Sequence, residues 1–405
     1  MRLTTAGILV CAVASCLSGA TRPVSPANVK PIGPYSPGIL TDDFLYISGQ
    51  GPRKPDGSMP SGVEAQAAQC LENVKAVVEA AGLTMDNVVY TQAYLMDYSD
   101  EAPLNRAWMK MFPKDRPARS TIGVAKLPGG TSVEISAVAI RDLSKKKLVV
   151  PPGYPASSPV TPAVIAGDRM YLSGFLGRDI KTGRIPDDAA GQVELSLDRM
   201  LETLKTAGLD FRNLVFVNPY LTSAVPAAVM NKIYASHFEF GNTPARATIS
   251  VAGLPSGANV EFTGVAVLDL AKRRAVRPRN MAPSSTASPC VFAGETLFCS
   301  AKSGFIPGVN SGIYASSVAT QLRQTMRNLL DGLEEAGMNF SNVVMSNVYL
   351  DNVDDFNEMN RVYAEYFNGP APARTTVQQT APGPRAPDQK GRYPTLEQIS
   401  IVAVK

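Results

Sequence analysis

Three blocks recur in one order along this chain, and that repetition limits the fold more than any other feature. Ala81-Gly82-Leu83 returns as Ala207-Gly208-Leu209 and Ala336-Gly337-Met338. An apolar segment follows each time, running from Asn87 to Leu95, from Asn213 to Leu221 and from Asn342 to Leu350. Pro117-Ala118-Arg119 then matches Pro244-Ala245-Arg246 and Pro372-Ala373-Arg374, whose arginines stand 127 and 128 positions apart. A length of 405 residues is too much for one ordinary core and suits two to four domains. The repeat places domains at 24–148, 149–275 and 276–405, after a leader at 1–20.

Each copy predicts the same elements. In the first, a strand at Phe44 to Ser48 leads through a Gly/Pro loop into a helix from about Gly62 to Ala81. Ala67, Cys70, Leu71, Val74, Val77 and Val78 form one apolar face of that helix. Gly82 sits where a helix C-cap glycine belongs. A strand, a second helix (about Pro103 to Phe112) and two closing strands follow. The closing strands, Ser120 to Ala125 and Thr131 to Ile140, read as a hairpin joined by Lys126-Leu127-Pro128-Gly129-Gly130. The order β-β-α-β-α-β-β makes an α+β unit, a mixed sheet with both helices on one face. Its bare face must be buried, and three units in one chain can bury those faces on one another as an intramolecular pseudo-trimer. The expected product is a monomer with internal threefold pseudosymmetry. The basic runs closing copies one and two, Asp142 to Lys147 and Asp269 to Arg274, read as solvated linker ends.

Residues 1–20 read as an export signal: Arg2 provides the positive start, Ala6 to Ala14 the apolar stretch, and Ser18-Gly19-Ala20 the small residues for cleavage. That stretch is too short for a transmembrane helix. Val13-Ala14-Ser15-Cys16 also resembles a lipobox, which would put a lipid anchor on Cys16. The periplasmic, secreted and lipid-anchored forms all stay open. Outside this segment lie Cys70, Cys290 and Cys299, an odd set without framework spacing. They read as small buried hydrophobes, with Cys290 and Cys299 near enough in sequence to pair.

The composition is that of a soluble globular chain, and a net charge of +4 lacks the clustered basic surplus of a nucleic-acid binder. A single histidine, His237, leaves room for at most one Ser-His-Asp or Cys-His site, and its place at a predicted helix end reads as structural. No HExxH, CxxC, GxGxxG or GxxxxGK[ST] occurs, which removes the main support for zinc hydrolases, Rossmann dehydrogenases and P-loop enzymes.

Copy one carries Gly33-Pro34-Tyr35-Ser36-Pro37, Tyr46-Ile47-Ser48-Gly49-Gln50, Asn105, Pro117-Ala118-Arg119-Ser120-Thr121 and Val133-Glu134-Ile135-Ser136. This set resembles the RidA family, also called YjgF or L-PSP, whose fold is chorismate-mutase-like and whose members are homotrimers with ligand clefts between subunits. The resemblance implies hydrolysis of reactive 2-enamino and 2-imino acids to 2-keto acids and ammonia, with no metal and no organic cofactor. Arg119 would bind the substrate carboxylate as a planar fork. Glu134, read as lying on the strand hairpinned to that of Arg119, would hold the attacking water and pass a proton to the leaving nitrogen. Tyr35 would close the pocket, and Ser48, Gln50, Asn105 and Thr121 would add polar contacts.

The other copies depart from this pattern. Copy two keeps Arg246, Asn231 and Glu261, again 15 positions after its arginine, but has Phe175 for Gln50 and Val160 for Tyr35. Copy three keeps Arg374 and Asn360, while an insertion around 382–393 separates its closing strands. Gln398 falls at the glutamate position and Ala287 at the tyrosine position. Glu397 is adjacent to Gln398, but a one-residue step turns a strand side chain to the opposite face. Copy three therefore reads as a degenerate remnant whose Arg374 can still bind an anion. Two other functions remain: a non-catalytic binder of small carboxylates, and the endoribonuclease activity attached to the L-PSP name. The modest charge and lone histidine argue against the latter.

Overall fold

A computed structural model describes residues 21–27, 31–279, 281–308, 312–380 and 383–405. The export signal and lipobox expected at 1–20 fall outside the described residues. The first sheet contains β1 (Arg22–Val24), β2 (Gly38–Leu40), β3 (Phe44–Gln50), β4 (Val88–Leu95), β5 (Ala118–Gly123) and β6 (Val133–Ile140), with helices α1 (Val63–Ala80) and α2 (Glu101–Met111). The second contains β7 (Lys146–Val149), β8 (Ala163–Ala166), β9 (Arg169–Leu176), β10 (Leu214–Leu221), β11 (Ala245–Arg246), β12 (Ile249–Ser250) and β13 (Val260–Val267), with α3 (Ala189–Thr206) and α4 (Ala227–Ala235). The third contains β14 (Arg273–Val276), β15 (Cys290–Ala293), β16 (Thr296–Ser303), β17 (Val343–Leu350), β18 (Ala373–Gln378) and β19 (Glu397–Val404), with α5 (Val318–Glu335) and α6 (Phe356–Ala364).

The α+β architecture of three tandem units is as the sequence predicts, with one change of topology that matters for the site. The first sheet runs β1-β2-β3-β6-β4-β5. The closing strands β5 and β6 are not a hairpin pair, because β4 lies between them. It pairs parallel with β5 and antiparallel with β6. A strand–helix–strand crossover through α2 places β5 outside β4 at the sheet edge, as parallel pairing requires.

The basic run Asp142 to Lys147 is not a free linker end. Asp142 caps a short turn through the Ser144 N–H (3.1 Å), and the chain then pairs as β7 with β8 of the second sheet. The run at Asp269 enters β14 of the third sheet in the same way.

Each copy packs its two helices on one sheet face over a private core, with Leu71, Val74 and Trp108 fully buried in the first. The opposite faces meet around a common axis. One shared cluster joins Phe44 and Tyr46 to Tyr171, Val265, Phe298 and Val344, and a second joins Tyr94, Tyr220 and Tyr349. Between them lies a cavity of about 80 Å³ edged by those three tyrosines with Gln92, Asn218 and Asn347, one pair from each copy. Tyr90 and Tyr220 both donate to Gln92 Oε1 (2.9 and 3.1 Å).

The ring closes by one motif used three times. The backbone N–H of Arg119 donates to Ser173 Oγ of copy two (2.9 Å), that of Arg246 to Ser300 Oγ of copy three (2.8 Å), and that of Arg374 to Ser48 Oγ of copy one (2.8 Å). Each serine hydroxyl donates in turn to a carbonyl 12 residues earlier in its own copy, at 2.6 Å.

Cys290 and Cys299 are direct cross-strand partners on β15 and β16 and form a disulfide, so they are not the free buried thiols read from sequence. Cys70 is free and buried. Within the described residues no helix is long and apolar enough to cross a membrane.

Because the three bare faces cover one another, the expected solution mass is that of one 43.1 kDa chain. Light scattering that returned a threefold mass would contradict this closure. Ser48→Ala leaves the Arg374 N–H buried without an acceptor, and an unfolding titration should show a loss of about 1–3 kcal/mol.

Candidate functional site

Strand parity decides which residues can meet. Arg119 lies opposite Thr91 on β4 and Glu134 lies opposite Tyr94, three residues further along. An odd step along a strand reverses the side-chain direction, so the two point to opposite faces of one sheet. Arg119 faces the helix layer, where it meets Trp108 and Asn105. Glu134 faces the neighbouring copy. Arg119 and Glu134 therefore do not share a cleft, and the expectation that they line one pocket is corrected. Each cleft takes its arginine from one copy and its glutamate position from the next.

The cleft between copies three and one holds the fullest set. Arg374 stands on β18 opposite Ser346, and Asn360 on α6 accepts from its Nη2 (2.6 Å). Its guanidinium lies 5.4 Å from the Tyr35 ring centre, 5.0 Å from that of Tyr363 and 5.7 Å from that of Phe356. Burial lowers its pKa, but a guanidinium remains charged in this range. Copy one contributes Tyr35, Gly49, Gln50 and Glu134 to the same cavity of about 420 Å³, and Thr376 of copy three lines it as well. Gln50 Nε2 donates to the Ser48 carbonyl (3.0 Å), while the Ser48 hydroxyl serves the inter-copy bond and is not free for a ligand.

Glu134 sits against Gly49 so closely that a Cβ there would lie 1.9 Å from its carboxyl oxygen and would push the carboxyl aside. Burial pushes the Glu134 carboxyl up to about 8, with the charge of Arg374 pulling the other way. The cleft thus holds a fixed cation beside a carboxyl that keeps its proton at neutral pH. Such a pair can anchor an anion and move a proton to an atom next to it.

The cleft between copies one and two receives Arg119, Asn105 and Thr121 from copy one and Glu261 from copy two. Asn105 Oδ1 accepts from Arg119 Nη2, and the guanidinium lies 4.8 Å from the Trp108 ring centre. Its Nε and Nη1 are buried without a hydrogen-bond partner among the described residues. Burial also lowers its pKa, to about 10. The Ser120 hydroxyl donates to Glu261, whose carboxyl burial pushes up to about 8. Phe175 stands at the place of Gln50, and Val160 at that of Tyr35.

In the third cleft Asn231 accepts from Arg246 (2.8 Å), but no carboxyl faces it from copy three. Gln398 is there, donating to the Thr248 carbonyl (3.2 Å) and to Gln379 (3.0 Å). Ala301 stands where the other two copies have Gly49 and Gly174. Glu397 turns to the helix side, as the one-residue step predicts, and accepts from Thr325. His237 lies edge-on to Phe211 at 5.0 Å in the helix layer of copy two.

Arg374 and Asn360, read from sequence as remnants, thus complete the best-furnished site. Sequence reasoning missed Phe356 and Thr376. Thr376 had a signal, since it occupies in copy three the position of Thr121. Phe356 opens α6 and had none.

Glu134, Glu261 and Glu397 each titrate near 8 in the fold, against about 4.3 in an unfolded chain. Above about pH 4.3 the unfolded chain has released protons that the fold retains, so stability is fully present at lower pH and is lost as pH rises toward 8. The melting temperature should fall between about pH 5.5 and about pH 8. Glu397→Gln, which cannot ionise, should flatten part of that slope; an unchanged slope would remove Glu397 from the account.

A family model described as Endoribonuclease L-PSP matches the chain three times, at 25–141, 154–268 and 278–386. A RutC family protein of Saccharolobus solfataricus is 43% identical over 112 residues, which are 27% of this chain and 89% of that protein. The 2-iminobutanoate/2-iminopropanoate deaminase of Escherichia coli K12 is 42% identical over 114 residues, again 27% of this chain and 89% of the relative. The crystal structure of the YjgF gene product of Escherichia coli is 38% identical and covers 30% of this chain and 99% of its own, with a TM-score of 0.29.

Proposed function

The chain belongs to the L-PSP family, also known as RidA or YjgF, and from that premise we propose that it hydrolyses 2-imino and 2-enamino acids in the cleft between copies three and one. The observation that carries this reading is the placement of Arg374 and a proton-bearing Glu134 on one cavity beneath Tyr35. The relatives named as deaminases support the reaction class.

The substrate carboxylate binds the free edge of Arg374, which Asn360 holds in place. Tyr35 covers the ligand. Glu134 gives its proton to the imine nitrogen, which makes C2 electrophilic, and the resulting carboxylate then takes a proton from water as the water oxygen bonds to C2. Glu134, protonated again, gives its proton to the amino nitrogen and takes back the hydroxyl proton as the carbinolamine collapses, so that the C–N bond breaks, the C2 carbonyl forms and the nitrogen leaves as ammonia. One imino acid and one water become one 2-keto acid and one ammonia. An enamine enters the same route after a proton is added at C3.

A second activity is favoured by the third cleft. Arg246 and Asn231 keep the carboxylate anchor there, but Gln398 cannot carry a proton, so this cleft binds small carboxylates without turnover. The endoribonuclease reading draws less from the geometry, since the furnished cleft offers one carboxyl and no histidine. We further propose that export by residues 1–20 places the protein where imines arise from amino-acid oxidation outside the cytoplasm.

The test supplies imino acids in situ with an amino-acid oxidase and follows 2-keto acid release. Glu134→Gln should lower kcat by roughly 10²–10⁴-fold, whereas Glu261→Gln should stay within about threefold of wild type. Release no faster than buffer in the wild type would end the deaminase reading. Since the proton on Glu134 is needed for an uncharged imine, kcat/KM should decline as pH rises through about 8.

A further inference from the structure

The furnished cleft is larger and more positive than a three- or four-carbon imine needs. Its cavity of about 420 Å³ runs outward from Arg374 and Glu134 to a rim made by Arg53 and Lys54. With Glu134 protonated, the charged side chains lining it are Arg53, Lys54 and Arg374, all cationic. One carboxylate would neutralise only one of them.

That rim is a built feature. The loop carrying it is tied to α1 by Asn73, whose Nδ2 donates to the carbonyls of Gly51 (2.8 Å) and Arg53 (2.9 Å). The Arg53 guanidinium donates to the carbonyls of Gly57 (3.3 Å) and Gly129 (3.2 Å), which hold its head at the mouth without cancelling its charge. Neither Arg53 nor Lys54 joins an ion pair among the described residues. Asp56 on the same loop feels Lys54, but its carboxylate is engaged by the hydroxyl and N–H of Ser58 (2.6 and 2.8 Å).

The repeat supplies an internal control. Counting from the shared serines Ser48 and Ser173, Arg53 matches Arg178, which likewise donates to a loop carbonyl, that of Gly183. Lys54, however, matches Asp179. At that place copy two sets an acid beside its arginine, while copy one sets a second cation. Asp179 accepts from the N–H groups of Lys181 (3.0 Å) and Thr182 (2.7 Å) and so holds its own loop, whereas no side-chain hydrogen bond of Lys54 holds the loop of copy one among the described residues.

We infer that this cleft prefers 2-imino acids whose side chain ends in a second carboxylate, with the first carboxylate on Arg374 and the second at the Arg53–Lys54 rim. The inference rests on the ligand-site reading of Arg374 and Glu134 and names the substrate class of that site. Both rim cations are solvent-exposed, so the discrimination they supply is modest and sensitive to salt.

Calorimetric titration of the full chain with 2-oxoglutarate and 2-oxobutanoate, the keto acids of the two substrate types, reads the ratio of dissociation constants. At low ionic strength 2-oxoglutarate should bind roughly three- to tenfold more tightly, and the ratio should shrink toward one in roughly 0.5 M salt. Lys54→Asp, which installs the copy-two residue, should abolish or invert the preference. Equal binding of the two acids, or a ratio that Lys54→Asp leaves in place, overturns the dicarboxylate inference while the deaminase reading stands. If neither acid binds the wild type, the ligand-site reading falls first and this inference with it.

Discussion

The structure depends on a serine hydroxyl that accepts a backbone N–H from the next copy. Ser48, Ser173 and Ser300 each receive the amide of an arginine whose side chain enters a cleft. The bond that joins two copies therefore also sets the position of the guanidinium in the cleft. A shift of a copy relative to its neighbour would move the guanidinium against the opposing glutamate or glutamine by the same amount. Assembly and site geometry are one constraint here, which is why these serines are buried structural residues and not free ligand contacts.

The arginines show how one anchor can be put to three uses. All three pack against a helix-layer aromatic and bond to an asparagine, with Arg119 and Arg374 buried and Arg246 half-buried. What differs is the surface that the following copy presents. Gly49 and Gly174 each stand against a glutamate, whereas copy three has Ala301 at that place. The difference among the clefts is thus written on the β3, β9 and β16 strands, on the segments before them, and on β19, where Gln398 stands at the place of Glu134 and Glu261, while each copy keeps its arginine.

Much of the fold was legible in the sequence. The Ala-Gly-Leu blocks, the helix face from Ala67 to Val78 and the spacing of the arginines were enough to place the strands, the helices and the three-unit organisation. The order of strands within a sheet was not legible, because a turn signature such as Pro128-Gly129-Gly130 looks the same whether the flanking strands pair directly or around a third. That one ambiguity put Arg119 and Glu134 in a common pocket. The opposite face of Glu397 was readable, since it needs only the alternation of a strand. The weight of Arg374 was not, because its partners Tyr35 and Glu134 are more than 230 residues away and belong to a different repeat.

That separation also orders the site in time. Tyr35 and Glu134 leave the ribosome before Arg374, which follows them by more than 230 residues. A growing chain can complete the private core of copy one and even the cleft that holds Arg119 and Glu261 while the cavity beneath Tyr35 still lacks its anchor. The full lining of that cavity therefore exists only once β18 has been made, and a product truncated before β18 would keep copy one while lacking the arginine of the proposed site.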